Sequence, residues 1–191
     1  MLSAVLTLLL SVTTTLATAG GLELSLSNDT ANLVVHLDPE QVYNRAGGSD
    51  ISVGVFTNEI GDNLLHATLM ARGMRQFATG QSNLAAGIKI IGGDLDIDES
   101  VGALAIGFQA SLLVAPSEFN PVDFIVEGFF APGISSFADA EKFSEIGARL
   151  QVEIVPAAHA YLGYRRMNFD TNDFENLMLD RSVHVGISVR F

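Results

Sequence analysis

Arg181-Ser182-Val183-His184-Val185-Gly186-Ile187-Ser188-Val189-Arg190-Phe191 alternates without a break. Val183, Val185, Ile187, Val189 and Phe191 hold every second position, and Ser182, His184, Gly186, Ser188 and Arg190 fill the gaps. A period of two sends the first set to one face of a β-strand and the second set to the other. The stretch reads as a strand with one apolar face. Whether that face meets a soluble core or lipid is decided by the rest of the chain.

Upstream the same period recurs. Leu22, Leu24 and Leu26 alternate with Glu23 and Ser25; Leu33, Val35 and Leu37 with Val34 and His36; Ile51, Val53 and Val55 with Ser52 and Gly54. Leu65 to Ala71 then oppose His66 to Arg72, Leu84 to Ile90 oppose Ala85 to Lys89, and Leu104 to Leu112 oppose Ala105 to Ser111. Val122, Phe124 and Val126 follow, then Ile146 to Ile154, then Ala158 to Tyr164, each with its interleaved second face. Pro39, Pro116, Pro121, Pro132 and Pro156 all fall between these segments, where no ladder hydrogen bond is lost. Counting the last stretch, ten segments emerge. The mature chain carries no convincing helical period.

Composition narrows the class. The 191 residues suit one domain, 48% hydrophobic and 17% charged. A net charge of −12 excludes binding to nucleic acid through phosphate neutralisation. There is no Cys, hence no disulfide framework and no thiolate metal site. Ala4 to Leu10 forms an apolar core and Ala17-Thr18-Ala19 a small-x-small cleavage site, so residues 1–19 read as a signal peptide and 20–191 as the mature domain. Beyond it no apolar run reaches the ~18 residues of a transmembrane helix.

A soluble sandwich would also alternate, but two features favour a membrane wall. The polar face carries Gly, Ala, Ser and a few charges rather than the Lys- and Glu-rich surface of a soluble sheet. Connection lengths also alternate near the end: Val155-Pro156-Ala157 is tight, whereas Asp170 to Asp180 is long and acidic. In lipid, only closure satisfies every backbone group. The expected fold is therefore all-β, a closed antiparallel transmembrane β-barrel of ten strands, or eight if Leu22–Leu37 stays outside the wall. The long connection Asp38 to Asp50 is the weakest point of the larger count. The last stretch resembles the terminal strand of bacterial outer-membrane barrels, with Val183, Val185, Ile187, Val189 and Phe191 as the signal read by the barrel-assembly machinery.

Four motifs carry a narrower resemblance: Glu127-Gly128-Phe129-Phe130-Ala131-Pro132, Ser144-Glu145-Ile146-Gly147-Ala148-Arg149, Gly163-Tyr164-Arg165, and Val185-Gly186 through Phe191. In their order and spacing the chain resembles the YfaZ family of outer-membrane proteins, from about Ile51 onward. The resemblance implies a small barrel in the Gram-negative outer membrane, reached through the periplasm, whose molecular activity is not established. With no Trp and three Tyr, this chain must draw its interfacial aromatics mostly from Phe.

Candidate chemistry is sparse. Asp94, Asp96, Asp98 and Glu99 place oxygens as a calcium loop begins, but Glu99 stands where that loop needs Gly and Ala105 where it needs Glu. A solvated hairpin loop, or weak divalent-cation binding against lipopolysaccharide phosphates, is what remains. Asp123, Glu127, Glu145, Arg149, Glu153, His159, Tyr161 and Arg165 share the second face of three consecutive strands. In a barrel that face fills the lumen, and buried charges persist there only when paired. Arg149 is expected to serve Asp123, Glu127, Glu145 and Glu153. His184 and Ser188, four residues apart or about 13 Å at strand rise, are too distant for a nucleophile–base pair. The sequence thus points to a non-enzymatic barrel without cofactor, with a structural or interaction role, the alternative being a narrow porin-like pore. Its expected partners are outer-membrane lipid and lipopolysaccharide, and periplasmic chaperones and the assembly machinery during biogenesis.

Overall fold

Runs that alternate in sequence form strands, and their polar interruptions form the turns. The computed structural model describes residues 19–37, 48–77, 80–97, 99–117 and 120–191. Among the described residues eleven strands follow one another: β1 (Ala19–Leu26), β2 (Thr30–Leu37), β3 (Ser49–Asn58), β4 (Asn63–Phe77), β5 (Gly80–Asp94), β6 (Ser100–Ala115), β7 (Val122–Ala131), β8 (Ser136–Ala138), β9 (Ala140–Val155), β10 (Ala158–Thr171) and β11 (Leu177–Arg190). Each wall strand pairs antiparallel with its chain neighbours. β1 closes the wall on β11, from Gly21↔Arg190 to Leu26↔Val185. β8 is a short strap on β6 beyond the end of β7, so β7 pairs directly with β9. The wall is a closed ten-strand barrel with Leu22–Leu37 inside it, not the eight-strand alternative.

Two expected loops are shorter than the sequence suggested. Ser49 and Asp50 belong to β3, and residues 38–47 lie outside the described residues. The acidic run Asp170 to Asp180 is mostly strand: Phe169 pairs with Leu177 and Asn168 with Met178, leaving Asn172 to Asn176 as the turn. A bulge beyond Met167↔Asp180 breaks the period of two there. Ladder bonds use backbone groups alone, so acidic side chains do not prevent them.

Outward faces are apolar around the circumference. Large hydrophobic residues stand exposed on every wall strand except β2, among them Leu65 (63%), Ile106 (67%) and Val183 (61%). In water each such side chain would forgo ~1.5–3 kcal/mol of burial. Hydrocarbon removes that cost, and the closed ladder leaves no edge to satisfy. The wall is built for lipid. Outward Phe108, Phe124, Phe130 and Tyr164 supply aromatic contacts on that face.

Inside, the core sits at one end. Phe56, Leu64, Met70, Ile91, Leu95, Val101, Ala103, Phe129, Phe143, Met167, Phe169 and Leu179 form a buried apolar cluster. Nearly all lie near the strand ends that carry the β1–β2, β3–β4, β5–β6, β7–β9 and β10–β11 connections. Phe143 and Phe169 are fully buried, with ring centroids 4.8 Å apart. Over this plug the five connections are tied to one another. Glu59 N donates to Asp29 O (2.8 Å), and Asp96 N to Asp62 Oδ1 (2.9 Å). Ser100 N donates to Asp139 Oδ2 (3.0 Å), Asn172 N to Asp139 O (3.1 Å), and Asn58 Nδ2 to Leu179 O (3.4 Å), so four of the connections form a ring and the β1–β2 turn is tied onto it. This is the closed end. The other end, where β1 begins and β11 finishes, opens on a cavity.

Candidate functional site

Below the plug the inward positions turn polar, and the charges meet across the lumen. Lys89 on β5 forms a buried ion pair with Glu145 on β9, with its ammonium 5.1 Å from the Phe129 ring centre. Arg165 donates from Nε (2.7 Å) to Asp180 Oδ2, with Nη2 2.6 Å from the same oxygen, and lies 5.0 Å from the Phe56 ring centre. His66 Nε2 meets Asn32 Oδ1 at 3.1 Å. This layer seats ionic pairs directly beneath aromatic rings.

One layer further, a chain of charges runs around the wall. Glu23 Oε1 accepts from Arg149 Nη1 (2.7 Å) and from Tyr161 Oη (2.8 Å), and the guanidinium lies 4.7 Å from the Tyr161 ring centre. Glu23 Oε2 is 3.6 Å from His36 Nε2, whose Nδ1 is 3.3 Å from Asp50 Oδ1; Asp50 in turn pairs with Arg72. Glu127 accepts from Gln109 Nε2 at 3.2 Å. His159 and Glu153 approach to 3.9 Å on neighbouring strands, and Asp123 lines the cavity near the open end. Gly186 makes room for this layer: a Cβ there would lie 2.2 Å from the Tyr161 ring.

The geometry corrects the expected partners of Arg149. Its carboxylate is Glu23 on β1, while Glu145 belongs to Lys89. Residues 145 and 149 share a strand face but are about 13 Å apart along it, so each finds a closer partner across the lumen. Glu23, His36, Asp50, Arg72, Lys89 and Asp180 complete the network and were not among the expected residues. All six carry the same signal, an inward position on an alternating strand; the bulge re-aims Leu179, just beyond Asp180. The acidic run does not assemble as a site. Asp94 accepts from Ser100 Oγ (2.8 Å), the Asp96 amide is tied to Asp62, and Asp98 lies outside the described residues. Glu99 Oε2 is buried without a partner, and no group of three metal-ligating side chains forms among the described residues. No hydrogen bond joins His184 to Ser188; the His184 ring stands edge-on to Tyr161, centroids 5.9 Å apart.

The cavity at the open end measures about 550 Å³. Its lining carboxylates, Glu23, Asp50, Asp123, Glu127 and Glu145, are matched in number by Arg72, Lys89, Arg149, Arg165 and Arg190. The lining is therefore balanced while the chain carries −12, and most of the excess negative charge lies outside the lumen. His66 Nδ1, His184 Nδ1 and Arg149 Nε are buried without protein partners, and all three residues border the cavity. Such atoms take water or a polar solute.

A family model described as YfaZ precursor matches residues 1–191. Among curated proteins no sequence match was found. Similar solved structures include the NanC porin, at 14% identity and TM-score 0.44 over 90% of this chain and 99% of that one. Omp33 of Acinetobacter baumannii is similar at 11% and 0.37 over 91% and 98%. A structure titled bacterial polysaccharide outer membrane secretin is similar at 11% and 0.42 over 90% and 69%. At these scores the likeness carries no functional inference.

Proposed function

The chain belongs to the YfaZ family, and on that premise we propose that this outer-membrane β-barrel is a sealed structural and interaction element of the envelope rather than a through-pore. One observation carries the reading: the apolar plug from Phe56 to Leu179 fills the lumen under connections that are hydrogen-bonded to one another. An ion crossing that layer would leave water for a region without polar partners, a cost of several kcal/mol or more. We place the open end in the periplasm and the closed end outside. Residues 1–19 serve as a cleaved export signal, so the mature chain begins at Gly20. Chaperones and the assembly machinery read the last strand, and lipid and lipopolysaccharide surround the wall. No catalytic role is assigned.

The test is conductance of refolded protein in planar bilayers. The expected trace shows no discrete steps at any voltage the bilayer tolerates. Reproducible ion-selective steps would restore the alternative, a narrow pore for small solutes, for which the 550 Å³ polar cavity would be the vestibule.

A further inference from the structure

The outward series of β10 runs Leu162, Tyr164, Arg166, and that of β11 runs Val185, Val183, Arg181. Both switch from apolar to arginine at the same height, and the ladder sets Arg166 directly opposite Arg181. Both side chains are exposed on the lipid-side face. Directly opposed residues hold their Cβ atoms roughly 4.5–5.5 Å apart, and like charges there repel. Among the described residues neither arginine has an ion-pair partner.

The placement is selective. Arg72, Lys89, Arg149, Arg165 and Arg190 all face the cavity. Lys142 is a further outward cation, on β9 in the same sector, and lies 3.6 Å from Asp170. Beside and below the two arginines the face is apolar: Ile146 opposes Arg166 across the β9 ladder, and Tyr164 and Val183 lie below. Arg166 and Arg181 thus stand where hydrocarbon gives way to headgroups. Reaching toward water would relieve the desolvation of each but leave their mutual repulsion in place.

We propose that Arg166 and Arg181 jointly clamp a phosphate of a phosphorylated glycolipid headgroup in the surrounding leaflet. Two planar guanidinium forks match the oxygens of a phosphate, each able to donate two parallel hydrogen bonds. One shared anion turns the repulsion into a bridge. A membrane-anchored phosphate fits because the acyl chains of the same lipid would lie along Ile146, Tyr164 and Val183. The identity of the lipid as a lipopolysaccharide rests on the closed end facing outward.

The experiment uses the full mature chain, refolded in detergent micelles, with retained lipid scored by native mass spectrometry. Wild type is expected to hold lipopolysaccharide at least tenfold more tightly than the same lipopolysaccharide stripped of its phosphates. Arg166→Gln/Arg181→Gln should lose that preference, while Lys142→Gln keeps it. Inorganic phosphate at the same molarity should not compete, since it lacks the acyl anchor. Equal affinity for the two lipids, an unchanged preference in the double variant, or full competition by inorganic phosphate would each overturn the proposal. If the double variant does not form the barrel, Arg181→Gln alone must lower the preference, and an unchanged value is equally fatal. Micelles have no sides, so this result is independent of the barrel's orientation in the membrane.

Discussion

Glu23 accepts two hydrogen bonds from one side of the lumen and faces His36 on the other, with its side chain 11% exposed. Removing Arg149 would leave that carboxylate with a phenol and an imidazole 3.6 Å away. A broken buried ion pair costs ~3–5 kcal/mol, whereas an exposed one is worth ~0–1 kcal/mol. Arg149 is still 19% open to the cavity, so Arg149→Ala is expected near the lower end of the larger range. Urea midpoints in detergent or vesicles measure this, with Arg166→Ala as the exposed comparison; equal losses in the two variants would dissolve the network. Glu23→Gln combined with Arg149→Ala should cost less than the two single changes added together. That Arg149 points inward follows from its place between Ala148 and Leu150. That it reaches Glu23 does not, because residues more than a hundred positions apart become neighbours only once the wall closes.

β11 carries the most information per residue. Its outward set, Val183 to Val189, is exposed, and its inward set reaches Tyr161 and Arg165 as the alternation dictates. The extent of β10 and β11 was less legible, because a bulge and an acidic stretch conceal a ladder that needs neither apolar residues nor strict alternation. β8 was invisible, since three residues cannot display a period. Phe191 lies just past the strand, 71% exposed, with its amide donating to Gly20 O at 3.2 Å. Deleting it should cost the finished barrel less than the ~3–5 kcal/mol of a core Phe. It would, however, put Arg190 at the chain end and shift the outward set by one residue relative to it. Outer-membrane levels of the truncated protein are expected to fall sharply, as read by fractionation, while refolding into detergent proceeds. Normal membrane levels would remove Val183, Val185, Ile187, Val189 and Phe191 as the assembly signal.

At the scale of the whole molecule, period and closure were readable, and the position of the core was not. Phe56, Phe143 and Phe169 occupy inward positions that the sequence distinguishes in no way from those of His66 or Arg165; only the register gathers them at one end. Orientation can be tested directly because the chain contains no Cys. In Asp173→Cys, a thiol in the β10–β11 turn should react with a membrane-impermeant maleimide on intact cells. Labelling only after the outer membrane is breached would invert the barrel.

The plug also decides which solution the interior belongs to. On the sealed reading proposed above, water among Glu23, His36, Asp50 and Arg72 exchanges through one mouth, and the lumen is an inlet of a single compartment. Screening over ~8 Å at physiological ionic strength then acts on these charges from that side alone. Salt added across the membrane would leave them as they are, and the same salt at the open mouth would weaken the most exposed of them, Arg72 with Asp50, before the buried Lys89 with Glu145.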